Sequence, residues 1–315
     1  MLTRRLFLSF ATCVALTLPA FAQDRLTVVA TTGMIADAAR QVGGDLVDVT
    51  ALMGAGVDPH SYRQTRSDIV ATARADLVLW NGLYLEAQLE QFLLELAETR
   101  PVVAVAEAIA PNQLIGSEDY QDRFDPHVWM NPNLWSRVVL ATRDAMIAAY
   151  PEGADIFRAN AAAHLDDLSD LAVYAQTVLA SVPPEARVLV TAHDAFNYFG
   201  AAYGFEVVGI QGISTASEAG LQRISELVDL LVARDIGAVF VESSVSDRNI
   251  RALIEGAQAR GHEVRIGGEL YSDAMGAPGT YEGTYLGMID HNVTTISRAL
   301  GGTAPDRGRI DQLAM

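Results

Sequence analysis

The sequence predicts an α/β protein of two Rossmann-like lobes, each with a parallel sheet, joined by one long backbone helix. Three observations lead there. Short β-branched runs alternate with amphipathic helical stretches, the rhythm of parallel strands linked by crossover helices. That alternation occurs twice, once on each side of the middle of the chain. Between the two lie roughly 28 residues of uninterrupted helical pattern, from about Ala154 to Val182, closed by Pro183-Pro184.

In the first half, strands are expected at 26–32 (LTVVATT), 48–53 (DVTALM), 76–80 (DLVLW) and 101–106 (PVVAVA). Helices are expected after the first strand to about Val42, from Ser67 to Ala75, and across YLEAQLEQFLLELAE, whose leucine and alanine stripe reads as core. Prolines and polar residues break the rhythm at 111–132, and a helical pattern then runs to Tyr150. At 1.5 Å per residue the central helix is about 40 Å long, the width of a domain. The second half places strands at 187–192 (RVLVTA), 206–210, 238–243 and 263–268, with helices between them and a last helix at 282–300. The glycine-rich, charged tail beyond it is expected to fray. The division is therefore an N-terminal lobe at 23–153, a linking helix at 154–182 and a C-terminal lobe at 183–315, with a crevice between the lobes.

Residues 1–22 read as an address. Arg4-Arg5, an apolar run from Leu6 to Leu18 and Ala20-Phe21-Ala22 make a basic start, a short hydrophobic core and an A-x-A cleavage site. Thr3-Arg4-Arg5-Leu6-Phe7-Leu8 is similar to a twin-arginine export signal, and paired arginines also suit an ordinary secretory leader, so both routes stay open. No later stretch is apolar enough to span a bilayer. The expectation is a soluble, monomeric periplasmic protein beginning at Gln23.

Composition removes several function classes. Half the residues are hydrophobic and 19% are charged, enough for a large packed core. All 22 basic residues are arginine, so Schiff-base chemistry and a lysine-dependent phosphate loop are excluded. The leader takes two arginines with it, leaving 20 against 39 acidic residues, a formal −19. Such a surface argues against a nucleic-acid partner and weakly attracts cations. The single cysteine, Cys13, also leaves with the leader, which excludes disulfides, thiolate metal sites and cysteine nucleophiles.

Six histidines remain as candidates for chemistry. His60, in Asp58-Pro59-His60, His127, in Asp125-Pro126-His127, and His193, directly after RVLVTA, all lie at or beyond the C-terminal end of an expected strand. Asp273 follows EVRIGG in the equivalent place. Ligands of open α/β sheets bind outside those strand ends, so the four can converge. Proline fixes φ just before two of the imidazoles and stiffens their loops. Three neutral imidazoles and one carboxylate suit Zn²⁺ and accept Mn²⁺. A single histidine in a strand-to-helix loop is more often a surface or capping residue, and Asp-Pro is an ordinary turn starter. Spacing alone leaves both readings open. His164, in mid-helix, is expected to face solvent, and His262 and His291 to be structural. Glu242, ending a strand, is expected to support a ligand rather than be one.

The stretches VDPHSY, ADLVLWNGLYLE, DPHVWMNP, TAHDAFNYFGAAYGFEVVGIQGISTASEA, VFVESSVSDRNI and GGELYSDAMG resemble the cluster A-I, TroA-like substrate-binding proteins of zinc and manganese ABC importers. The resemblance covers essentially the whole mature chain. It implies one metal ion between the lobes, held by His60 and His127 from the first and His193 and Asp273 from the second, and delivered to an inner-membrane permease. Family members dedicated to manganese typically carry Glu where this chain has His193. Many dedicated zinc members carry a His-rich loop before the second histidine, and the loop 112–126 has none. The third imidazole favours zinc. The rigid helix implies small lobe or loop shifts on binding. Two rivals are a periplasmic zinc hydrolase with Glu242 as base, and a receptor for a metal chelate or cobalamin with an aromatic-lined cleft.

Overall fold

The computed structural model describes residues 25–117, 120 and 122–314; the leader expected at 1–22 lies outside the described residues. A four-stranded parallel sheet organises the first half: β1 (Leu26–Ala30), β2 (Val47–Ala51), β3 (Leu77–Trp80) and β4 (Val102–Ala104), in the order β2-β1-β3-β4. Its crossovers are α1 (Gly33–Gly43), α2 (Arg66–Arg74) and α3 (Glu90–Ala97), followed by α4 (Pro132–Ala149). Caps explain where these helices start. Thr32 opens α1, and Thr65 and Asp68 form a reciprocal capping box on α2. Asn131 opens α4 with Pro132 in its first turn, where a missing N–H costs nothing.

The linking helix is α5 (Ala154–Leu179), 26 residues and so about 39 Å. Beyond it the second half carries β5 (Val188–Thr191), α6 (Asn197–Tyr203), β6 (Glu206–Gly209), α7 (Leu221–Ala233), β7 (Ala238–Glu242), α8 (Arg248–Gln258), β8 (Arg265–Leu270) and α9 (Tyr285–Ala299). β5 pairs with β6 and β7 with β8, all parallel, and β5 packs alongside β7. Among the described residues no helix is long and apolar enough to cross a membrane.

The largest hydrophobic cluster is continuous between the halves. Phe157, Ala161, Leu168, Leu171, Ala175 and Val178 of α5 join it to Met34 and Ile35 of α1, Trp135 and Val139 of α4, and Met288 and Ile296 of α9. A close-packed core of this kind resists shear between the parts it joins.

Four local expectations change. The third helix begins at Glu90 rather than Tyr84, because Gly82, Leu83 and Tyr84 all take left-handed backbone, with φ of 77°, 54° and 69°. The buried Glu86 carboxylate holds that turn, accepting from Asn81 N at 2.8 Å, Gly82 N at 3.2 Å and Thr31 Oγ1 at 2.6 Å. Burial pushes the Glu86 carboxyl up to about 7. Strand β8 lies two residues later than expected, with a bulge opposite Val239 and Phe240. A Cβ on Gly267 would meet the Phe240 ring at 2.8 Å, so the strand passes there only as glycine.

His164 does not face solvent. It is 4% exposed, on the stripe Phe157, Ala161, His164, Leu168 and Leu171 that α5 turns into the core. The spacing of four and three residues puts it there, and a polar side chain obscured the pattern. The tail does not fray either. Arg309 N donates to the buried Asp290 carboxylate at 2.8 Å, Ala314 N to Glu282 at 2.6 Å, and Leu313 is buried.

Candidate metal centre

His60, His127, His193 and Asp273 meet. One ligand atom from each lies within 4.8 Å of all the others, and all four side chains are buried. His60 Nε2 is 3.2 Å from His127 Nε2. Asp273 sits between two imidazoles, its Oδ1 at 3.4 Å from His127 Nε2 and its Oδ2 at 3.2 Å from His193 Nε2. His262 and His291 stand apart, each bonded to a backbone carbonyl at 2.9 Å, of Ile236 and Glu269.

Local sequence explains the placement. In both Asp-Pro-His triplets the aspartate Oδ1 accepts the backbone N–H of the histidine two residues on, at 2.9 Å in each case. This Asx turn needs the aspartate, and the proline stiffens it. His193 lies two residues beyond the end of β5, and Asp273 three beyond β8.

Each fully buried imidazole is oriented from behind. Asp125 Oδ1 lies 2.7 Å from His127 Nδ1, and Glu242 Oε2 lies 2.5 Å from His193 Nδ1. Glu242 Oε1 also accepts the His193 N–H at 2.9 Å. A carboxylate on Nδ1 puts the proton there and turns the Nε2 lone pair toward the cluster, the usual second contact of a metal-binding histidine. Asn197 extends the arrangement, donating to Asp125 Oδ2 at 3.1 Å and Asp194 Oδ2 at 2.9 Å.

The electrostatics are those of a cation site. Burial opposes protonation of His127, but Asp125 and Asp273 outweigh it and hold the imidazole at about 9. Burial likewise opposes protonation of His193, and Asp273 and Glu242 raise it well above the usual range. His60 is lowered to about 4, chiefly by burial. Asp273 is buried, which favours its neutral form, yet the surrounding imidazoles hold it well below the usual carboxylate range. His193 Nε2 and Asp273 Oδ1 are buried without a hydrogen-bond partner. Buried polar atoms are normally paired, and one ion among the four would pair both.

The residues that sequence reasoning missed are Asp125, Asp58 and Asn197. The first two stood inside the Asp-Pro-His triplets and were legible as Asx turns. Asn197 carried no local signal.

Two α/β halves with three buried imidazoles and one carboxylate gathered between them make a substrate-binding protein able to hold one metal ion. A family model described as zinc-uptake complex component A, periplasmic (ZnuA), matches residues 28–299, and the chain belongs to that family. It is 50% identical over 279 residues to the manganese-binding lipoprotein MntA of Bacillus subtilis, covering 89% of this chain and 91% of that one. It is 46% identical to the zinc-binding protein TroA of Treponema pallidum over 281 residues, 89% of this chain and 91% of that one. The solved structure of the periplasmic zinc-binding TroA superposes with a TM-score of 0.85, over 88% of this chain and 99% of that one.

Removing the charge behind His193 should weaken metal binding without displacing any of the four clustered side chains. Glu242→Gln is expected to lower zinc affinity 10- to 100-fold in competition with a fluorescent chelator. Unchanged affinity would mean that Glu242 only fills space.

Proposed function

We propose that this protein captures one divalent transition-metal ion between its lobes, outside the cytoplasmic membrane, and hands it to the permease of an ABC importer. His60, His127, His193 and Asp273 are the ligands, and Asp125 and Glu242 orient two of them. The lobes run to residue 153 and from 183, joined by the segment 154–182 that contains α5 (Ala154–Leu179). The observation that carries this reading is the convergence of four buried side chains, two of whose buried polar atoms make no hydrogen bond.

Zinc is the favoured ion, because three nitrogens and one oxygen complete a tetrahedral set. Manganese is the alternative, and relatives named for each metal support keeping both. Four protein ligands leave no open position for a catalytic water. Both Glu242 oxygens are engaged by His193, so the base that a hydrolase would need is already committed. The protein acts as a monomer, released into the periplasm by cleavage after Ala22.

Native mass spectrometry of the metal-stripped mature chain, titrated with zinc, should show one ion added and then saturation. Manganese offered in competition should be taken up less. Uptake of no ion, or of several with equal affinity, would contradict the proposal.

A further inference from the structure

The four clustered side chains are not equally reachable. His127 and His193 are fully buried and Asp273 is 2% exposed, whereas His60, at 4%, also lines a cavity of about 90 Å³. Leu83, Tyr84 and Phe124 wall that cavity from the first half, and Ile213, Ser214 and Ala216 from the second. The first wall is stiff: Leu83 and Tyr84 belong to the left-handed turn that the Glu86 carboxylate pins. The second wall is the connection between β6 and α7.

Thr215 joins that connection to the turn that carries His60. Thr215 Oγ1 donates to Asp58 Oδ2 at 2.6 Å, across 157 residues of sequence. The other oxygen of the same carboxylate accepts the His60 backbone N–H at 2.9 Å, and Ser61 Oγ donates to Oδ2 at 2.8 Å. Asp58 thus holds His60 from one side and the cavity wall from the other. Elsewhere the halves are joined through buried groups: Trp129 Nε1 donates to Ser272 O at 2.7 Å, and Tyr198 OH to Asp125 O at 2.9 Å. Those contacts sit beside the ligands that are fully enclosed.

We propose that Thr215 is a positioning residue for metal retention: through Asp58 it holds His60 in the cluster and keeps the 213–216 segment across the opening by which the ion enters and leaves. This deepens the metal-receptor reading and rests on it. Without the hydroxyl, Asp58 loses its tie to the second half, and both the His60 turn and the cavity wall gain freedom. Release, which needs His60 to let go first, speeds up. The enclosed ligands are untouched, so the ion still binds.

The test is the rate at which zinc leaves the loaded mature protein when excess chelator is mixed in. Thr215→Val keeps the side-chain shape and deletes the donor, and about tenfold faster release is expected, as for loss of one hydrogen bond to a charged group. Thr215→Ala must behave in the same way. Thr215→Ser, which restores the donor, must return the rate to within about twofold of wild type and the metal-free melting temperature to the wild-type value, which Thr215→Val and Thr215→Ala lower by a few degrees. Release from Thr215→Val at the wild-type rate, or Thr215→Ser as fast as Thr215→Val, overturns the role of Thr215 and leaves the receptor reading standing. A wild-type protein that takes up no zinc overturns both.

Discussion

Metal-stripped protein given zinc should unfold about 10 °C higher, and His193→Ala should lose nearly all of that shift. An ion that binds only the folded chain, free at a thousand times its Kd, stabilises it by about 4 kcal/mol. For a protein of this size each kcal/mol moves the midpoint by about 2–4 °C. His193 is the informative position because it is fully buried, its Nε2 faces Asp273 Oδ2 at 3.2 Å inside the cluster, and Glu242 fixes its orientation. The substitution also strands the Glu242 carboxylate in the interior, which lowers the metal-free midpoint by itself. The decisive quantity is therefore the difference between loaded and stripped protein for each variant, read by calorimetry. A full zinc shift in His193→Ala would remove that imidazole from the ligand set.

Zinc binding should also expel protons and weaken steeply in acid. At neutral pH the metal-free cluster keeps His127 and His193 protonated among Asp125, Asp273 and Glu242, while His60 is neutral. Metal ligation needs all three imidazoles neutral, so up to two protons must leave. Apparent affinity then falls by up to about 100-fold for each pH unit below neutrality. Titration calorimetry in buffers of different ionisation enthalpy counts the protons directly. No proton release, with affinity flat from about pH 6 to 8, would contradict the charge arrangement.

The same groups set opposite stability slopes for the two states. In metal-free protein the His127 value is raised from 6.5 to about 9, so its contribution is complete below 6.5 and disappears as pH climbs through 9. Asp273 is depressed, and its contribution is lost only as strong acid protonates it. Stripped protein therefore weakens toward alkaline pH. Loaded protein weakens toward acid, where protons compete with the ion. Melting curves from about pH 6 to 9, with and without zinc, separate the two.

Much of the site was legible because its signals are local. An aspartate, a proline and a histidine in a row specify an Asx turn wherever they fold, and a β-branched run announces where a strand ends. Those two facts put His193 and Asp273 just past strand ends and set His60 and His127 in stiff turns further along the chain. His164 shows the limit of that reasoning. Its stripe of four and three is present, yet a polar residue on a long helix reads as the solvent side, and the packing of α1 against α5 decides that it is covered. The turn at Gly82–Tyr84 shows another. A helical pattern begins there, and a carboxylate reaching Thr31, far away in sequence, overrules it.

The amino-acid sequence by itself determined the order of strands and helices, the absence of lysine chemistry, and which four side chains lie at or beyond strand ends. These depend on near neighbours, whose spacing the chain carries directly. Tertiary structure alone decided that the four come within 4.8 Å, that Glu242 lies behind His193 across 49 residues, and that Thr215 reaches Asp58 across 157. Such contacts follow from how two α/β halves pack against one long helix. That packing minimises exposed apolar surface over the whole chain, and no local pattern encodes the resulting distances.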